Sequence, residues 1–287
     1  MRRSLAVGSF DGIHSGHMAV IVEAMRDSGV ADVVCFEPIP RQFFGSLSWR
    51  RRLTTPGERR SILGNLGVGS VRVFPFDLRT RSSAPVDFLA ELEGIGRFER
   101  LVVGYDFHFG SDRSGSAGTI REWAGSAGVE LVVVPPVEIG GAPVKSERIR
   151  DLIETGGIGE AAGLLGRRYS ATGAVARGRG AGRKLGFPTI NVTVPGCKLL
   201  PPAGSYAAVA HIGGESHPAA AFVPAGDRGG LVEAFLPGWE GEAYGELATI
   251  EFVSFVRPPE EDVRDDRLTE LIGRDVEHVT EVSREWR

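Results

Sequence analysis

Cysteine is nearly absent: Cys35 and Cys197 are the only two in 287 residues. Neither sits in a CxxC or Cys/His pattern, so the sequence indicates no disulfide framework and no structural zinc site, and it fits a reducing cytoplasm. Long hydrophobic runs are missing too. No stretch of about 18 apolar residues occurs, and the first segment reaches Asp11 before an apolar leader core could form, so neither a membrane span nor export is expected. Lysine is the third shortage. Only Lys145, Lys184 and Lys198 stand beside thirty arginines, and 37 acidic residues leave a net charge of −4. An acidic chain is a poor general polyanion binder, which argues against nucleic acid as a partner. Acidic residues themselves are missing from Ala161 to Gly214. Inside that gap lie Arg167, Arg168, Arg177, Arg179, Arg183, Lys184 and Lys198, which form either a local positive field suited to a phosphate or a solvated arginine-rich loop.

What is present falls into two parts, and the length fits two medium-sized cores. Short apolar runs at 4–7, 30–36, 70–74, 101–103 and 130–134 read as strands, with helical periods between them at 17–27, 56–66, 85–92, 119–127 and 146–154. This alternation predicts an α/β, Rossmann-like domain: a parallel sheet covered by helices, with ligands at the carboxyl ends of the strands. From about Leu165 the pattern changes. Strand-like pieces at 169–175, 189–194, 205–212, 219–223, 231–236 and 247–256 are punctuated by Gly and Pro and predict a small antiparallel β-barrel. A closing helix is expected over 265–285, and the domains are read as 1–165 and 166–287.

Two motifs carry chemistry. Gly8-Ser9-Phe10-Asp11-Gly12-Ile13-His14-Ser15-Gly16-His17 joins the first strand to the first helix. Its glycines permit a tight turn and close backbone approach. His14 and His17, three apart in the first helical turn, can donate hydrogen bonds to an anion that the helix dipole already favours. A histidine pair at this spacing is often incidental, but a pair embedded with two glycines in a strand-to-helix turn points to phosphate. The second motif, Gly180-Ala181-Gly182-Arg183-Lys184-Leu185-Gly186-Phe187-Pro188-Thr189-Ile190-Asn191, lies in the acid-free stretch and is not a Walker A loop, because Leu185 follows Lys184.

With these residues the chain resembles the HxGH nucleotidyltransferases and, within them, the bacterial bifunctional riboflavin kinase/FAD synthetases. The resemblance continues in order through Phe36-Glu37-Pro38-Ile39-Pro40, Leu53-Thr54-Thr55, Val103-Gly104-Tyr105-Asp106-Phe107-His108-Phe109-Gly110 with Arg113 and Gly115, Ser146 with Ile149-Arg150, and Leu165-Gly166-Arg167-Arg168-Tyr169. It covers nearly the whole chain. It implies an N-terminal FMN adenylyltransferase domain in which the FMN phosphate attacks the α-phosphorus of ATP and pyrophosphate leaves. By that resemblance His14 and His17 stabilise the phosphates, and Gly8, Phe10, Asp11 and Gly16 shape the ATP site. Ser146 and Arg150 hold the β/γ-phosphates, and Asp106, Phe107, Phe109 and Arg113 line the flavin or nucleotide pocket. Phe107 and Phe109 fit ordinary core packing equally well.

The 180–191 segment resembles the GRxLGFPTAN signature of riboflavin kinases. The likeness implies that Gly182, Arg183, Lys184 and Gly186 embrace ATP phosphates, that Phe187 meets the flavin, and that Thr189 and Asn191 contact the phosphates and Mg²⁺, which prefers hard oxygen donors. Val232-Glu233-Ala234-Phe235-Leu236 resembles the kinase segment whose Glu is the base, so Glu233 would take the proton from the riboflavin 5′-hydroxyl. Outside that likeness a strand glutamate more often faces solvent.

Some positions depart from the family pattern. The usual SSTxIR reads Lys145-Ser146-Glu147-Arg148-Ile149-Arg150, and Ile39 replaces the His usual after FEP. Residues 219–227 replace NxGxxPTF, and Gly238-Trp239 replaces an acidic-Phe pair. The resulting expectation is an enzyme making FMN from riboflavin and FAD from FMN with ATP and Mg²⁺. Its partners would be small flavins and nucleotides, without nucleic acid or membrane, and it would be a cytoplasmic monomer or weak homo-oligomer. The alternatives are a divergent relative that keeps one activity or uses another nucleotide triphosphate or flavin analogue, and a non-catalytic flavin- or nucleotide-binding regulator. His14, His17, Thr189, Asn191 and Glu233 count against the regulator, because binding alone requires no base.

Overall fold

The computed structural model describes residues 3–27, 29–45, 48, 51–178, 180–226, 230–260 and 263–286. Arg179 of the basic stretch and Asp227 of the divergent segment lie outside the described residues. The chain forms two compact units, Met1–Ser146 and Glu147–Arg287.

The first unit runs β1 (Ser4–Val7), α1 (Ser15–Met25), β2 (Ala31–Glu37), α2 (Pro40–Phe43), α3 (Pro56–Asn65), β3 (Ser70–Pro75), α4 (Leu78–Ser82), α5 (Pro85–Glu93), β4 (Arg100–Gly104), α6 (Ala117–Ala127), β5 (Glu130–Val134) and a short hairpin, β6 (Glu138–Ile139) and β7 (Ala142–Pro143). The five long strands form one parallel sheet in the order β3-β2-β1-β4-β5. Strand alternation sorts the core. Leu5, Val7, Val34, Phe36, Leu101 and Val103 pack with Phe88, Leu89 and Ile120 on one face. Ala6, Val33, Cys35 and Val102 pack with Val20, Ile21, Ala24 and Leu63 on the other. Burial on both faces is why these strands read as unbroken apolar runs. Burial also pushes the Cys35 thiol pKa up, which makes it a poor nucleophile. The helix start at Pro56 is closed by a reciprocal cap: Thr55 accepts from the Glu58 N–H, and the Glu58 carboxylate accepts from the Thr55 N–H. The strand order reverses between β1 and β4, so their carboxyl ends border the crevice where such sheets bind ligands.

Beyond Ser146 come α7 (Ser146–Glu154), α8 (Ile158–Leu165), β8 (Tyr169–Ala176), α9 (Ala181–Lys184), β9 (Thr189–Thr193), β10 (Gly204–Ile212), β11 (Glu215–Val223), β12 (Leu231–Phe235), β13 (Leu247–Arg257) and α10 (Asp265–Val282), ending in a 3₁₀ turn at Ser283–Trp286. The six strands close a barrel, β10-β11-β12-β9-β8-β13, in which every pairing is antiparallel. The sequence-based boundary at 165 falls inside this second unit, because α8 packs on β8 and β13.

Helix α10 lies on the outer face of the barrel, where Val276 and Val279 meet Ala207, Ala220, Phe235 and Val253. One buried polar cluster fixes it there. Asp275, 4% exposed, accepts from Arg257 Nε at 3.0 Å and Nη2 at 2.8 Å, and from Ser205 Oγ at 2.8 Å. Asp275→Ala strands the Arg257 guanidinium, and removing one partner of a buried pair costs about 3–5 kcal/mol. The expected result is a matching drop in stability of the barrel unit, read by urea denaturation under far-UV circular dichroism. Arg257→Lys, which keeps the charge but not the two-pronged geometry, should fall between. An unchanged midpoint for Asp275→Ala would remove the cluster as the anchor of α10.

Candidate functional site

The turn after β1 is built under strain. Phe10 and Ile13 hold left-handed φ values of 48° and 43°, a conformation that costs bulky side chains about 1–3 kcal/mol each. Gly12, at φ 89°, is required twice over, since a Cβ there would also meet Leu53 Cδ1 at 2.8 Å. Asp11 braces the turn. Its carboxylate, 2% exposed, accepts from the Leu53 N–H at 3.3 Å, the Thr54 N–H at 3.0 Å and the Thr54 hydroxyl at 3.2 Å. The Thr54 Oγ1 in turn accepts from the Gly12 N–H at 3.0 Å. Arg59, also 2% exposed, donates to the Ser9 and Phe36 carbonyls and pairs with Glu37, which Arg52 also engages. The strained residues are thus held by hydrogen bonds from segments some forty positions away.

This frame sets the two histidines. His14 is the N-cap of α1, and its Nδ1 accepts from the His17 N–H at 3.3 Å. The rings stack with centroids 3.7 Å apart, and Phe10 stands edge-on to His17 at 5.3 Å. Gly8 lies over the Phe10 ring, and Gly16 passes so close that a Cβ would sit 3.1 Å from the His14 ring. Ser146 is brought to the same turn: its hydroxyl donates to the Asp11 carbonyl at 2.9 Å.

The segment after β4 supplies the other side of the crevice. Tyr105 and Asp106 are exposed there, and Lys145 Nζ lies 3.8 Å from the Asp106 carboxylate and 5.7 Å from the Tyr105 ring centroid. Arg113 Nη2 and the Asp106 carbonyl both approach His108 Nδ1, at 3.4 and 2.9 Å. Phe109 is 7% exposed and joins the core, whereas Phe107 stacks on it at 5.6 Å and is only half-buried. A feature that sequence reading missed continues from here. Aromatic rings touch in series, Phe107, Phe109, Phe88, Phe36, Phe76 and Phe44, and the series ends at Phe44, which is 53% exposed under the Arg81 guanidinium. The signal available in sequence was the Phe43-Phe44 pair, but only the fold brings Phe76 beside it.

Arg150 lies in the second unit. It is 1% exposed and pairs with Glu147 at 2.9 Å, one helical turn away. The departure at Glu147 thus has a cationic partner within α7. The Ile39 departure is a buried residue, 2% exposed, at the start of α2.

In the barrel, Thr189 and Asn191 are two apart on β9 and face the same way. Asn191 pairs across the ladder with Glu233 on β12, and Thr189 pairs with Phe235. Phe187 meets Phe235 edge-on at 5.3 Å. The glycine-rich loop closes over this patch: a Cβ on Gly178 would collide with the Asn191 carboxamide, and one on Gly182 with the Phe187 carbonyl. Arg183, Lys184 and Gly186 are exposed on and after α9. A hydroxyl, a carboxamide and a carboxylate on adjacent strands form a hard-oxygen set. No group of three His, Cys, Asp or Glu residues that could cage a metal occurs among the described residues. The set fits Mg²⁺, which is commonly held by one or two protein ligands together with substrate phosphates and water.

The basic stretch is only partly available to ligands. Lys198 is 5% exposed with Nζ 4.4 Å above the Tyr169 ring, and Arg168 is paired with Glu251 at 3.7 Å. Arg177 covers the Tyr244 ring at 5.2 Å. The acid-free segment meets its counter-charge on β13, which a linear charge count does not reveal. The divergent residues Ala219, Ala220 and Ala221 are buried in β11, and Trp239 approaches the His217 ring at 6.4 Å.

Comparison with known proteins agrees with this layout. The FAD synthetase family model matches residues 1–148, and the riboflavin kinase model matches residues 165–283. The bifunctional riboflavin kinase/FMN adenylyltransferase of Pseudomonas fluorescens is 31% identical over 281 residues, 94% of this chain and 89% of that protein. Its counterpart from Listeria monocytogenes is 29% identical over 268 residues, 90% and 85% of the two chains. A crystal structure described as a macrolide-efflux protein from Streptococcus pneumoniae superposes with a TM-score of 0.85 at 26% identity, over 97% of this chain and 94% of that one. Among the described residues no helix is long and apolar enough to cross a membrane. Matched by both family models in turn, and by a bifunctional relative along 94% of its length, the chain belongs to the bifunctional riboflavin kinase/FMN adenylyltransferase family.

Proposed function

We propose that this protein phosphorylates riboflavin to FMN and adenylylates FMN to FAD, drawing on ATP in both steps. The observation that carries this reading is the presence of two separate constellations, His14 with His17 at the switch point of a parallel sheet and Thr189, Asn191 and Glu233 on one patch of a barrel. In the kinase step Glu233 takes the proton of the riboflavin 5′-hydroxyl, that oxygen bonds to the γ-phosphorus, and ADP leaves. In the second step an FMN phosphate oxygen bonds to the α-phosphorus of ATP and pyrophosphate leaves. His14 and His17 donate hydrogen bonds to the phosphates and stabilise the charge that develops on them, and the strained turn fixes their geometry before substrate arrives.

The remaining roles follow the same division. Gly8, Phe10, Asp11 and Gly16 shape the ATP turn, with Phe10 and Asp11 acting from buried positions. By the family likeness, Ser146 and Arg150 serve the β/γ-phosphates. Asp106, Phe107 and Arg113 meet the flavin or nucleotide, with Phe109 backing Phe107. Gly182, Arg183, Lys184 and Gly186 wrap the kinase ATP, and Phe187 meets the riboflavin ring. Thr189 and Asn191 would hold Mg²⁺, which would supply charge neutralisation on the transferred phosphates. We place the functional boundary at 165/166 and the enzyme in the cytoplasm, where a chain with only two cysteines and no disulfide framework is at home.

Chromatography of products tests the reading. Riboflavin with ATP and Mg²⁺ should give FMN and then FAD, and FMN should give FAD directly. Folded protein that yields neither product refutes it, and a single product assigns the chain to a one-activity branch.

A further inference from the structure

We propose that Lys145 is a polyphosphate-binding residue of the adenylyl-transfer site, engaging the β/γ-phosphates of ATP and, after transfer, pyrophosphate. This rests on the assignment of adenylyl transfer to the first unit. Lys145 occupies the first position of the segment that usually reads SSTxIR, so the charge is an addition to the family pattern rather than part of it.

Its neighbours in sequence fix where it stands. The Val144 carbonyl packs against Gly16, 3.4 Å from where a Cβ would be, and the Ser146 hydroxyl donates to the Asp11 carbonyl at 2.9 Å. The backbone on both sides of Lys145 therefore lies along the turn that carries His14 and His17. The side chain leaves this backbone toward the carboxyl end of β4, reaching Asp106 at 3.8 Å and the Tyr105 ring at 5.7 Å. Lys145 thus bridges the histidine turn and the segment that lines the other side of the crevice.

Its present contacts are cheap to give up. Lys145 and Asp106 side chains are 54% and 57% exposed, and 3.8 Å is a long ion pair. Exposed pairs of this kind contribute under about 1 kcal/mol. A polyphosphate carries several negative charges against the one of Asp106, and the ammonium is a compact charge on a flexible four-carbon stem that can swing to meet it. Asp106 holds the ammonium at the crevice mouth in the empty site and releases it when the larger anion enters.

The test compares wild type with Lys145→Ser, the residue usual at that position, and with Lys145→Arg. For Lys145→Ser the KM for ATP in FAD formation and the inhibition constant of pyrophosphate should both rise about five- to tenfold, the scale of one charge-assisted hydrogen bond at a half-exposed site. The KM for FMN should stay put, Lys145→Arg should restore most of the loss, and riboflavin phosphorylation by the same preparations should be unaffected. Calorimetric titration with inorganic pyrophosphate reads the same difference without turnover. FAD formation with unchanged ATP and pyrophosphate constants overturns the role of Lys145, and so does a change confined to the KM for FMN. Absence of FAD formation by wild type overturns the adenylyltransferase reading instead, and pyrophosphate titration then still decides whether Lys145 binds the anion.

Discussion

Glu233→Gln is expected to slow riboflavin phosphorylation by about 10²–10⁴-fold, the usual contribution of a positioned general base, while FAD formation from supplied FMN continues at the wild-type rate. The substitution keeps size and shape, and Glu233 sits mid-strand with Asn191 and Phe222 as its ladder partners, so the barrel has no reason to rearrange. What is lost is an acceptor for the 5′-hydroxyl proton. The loss should therefore appear in kcat, with the KM for riboflavin nearly unchanged, because a base acts on the transition state rather than on ground-state binding. Glu233→Asp retains the carboxylate one methylene short of its place and should recover part of the rate. Initial rates of FMN and FAD formation, measured on the same preparation, separate the two steps. Equal rates for Glu233→Gln and wild type would end the assignment of Glu233 as base.

The sheet and barrel were legible for physical reasons that also explain what was not. Strands β1, β2 and β4 are buried on both faces, so their apolar runs stand out, and the barrel strands are set off by turn glycines and prolines. Helix α8 was invisible, because Gly156-Gly157, Gly159 and Gly163 depress helix propensity. It forms anyway, since it buries Ile158, Ala161, Leu164 and Leu165 along one face and ends on Gly166 in the left-handed conformation. The strand expected from Ala219 begins at Glu215, where Gly213-Gly214 close a tight hairpin with β10. The closing helix ends at Val282 and tightens into a 3₁₀ turn rather than running helical to 285. At the site, the histidine turn and the Thr-x-Asn strand were readable because their chemistry is local. The brace on Asp11 was not: its partners lie 42 and 43 positions away, and only folding shows that its carboxylate is spent on Leu53 and Thr54. Lys198 likewise counted as part of a positive field until Tyr169 was seen beneath it.

His14→Asn isolates chemistry from architecture in the first unit. The native ring has two tasks. Its Nδ1 accepts the His17 N–H and caps α1, which in a neutral ring makes Nε2 the protonated nitrogen and hence a hydrogen-bond donor. Alanine would remove both tasks, forfeiting about 1 kcal/mol of capping beside two residues already held in left-handed conformations. Asparagine is among the best N-caps and keeps the first task, but its short amide ends well before the position of the imidazole Nε2. Loss of one preorganised donor to a developing anion costs about 10²–10³ in rate, so FAD formation should fall by that factor. The melting temperature and the formation of FMN from riboflavin should hold. Alanine should show the same rate loss together with lower stability. A His14→Asn protein that makes FAD at the wild-type rate would mean that His14 serves only to cap α1, leaving His17 to carry the phosphate chemistry alone.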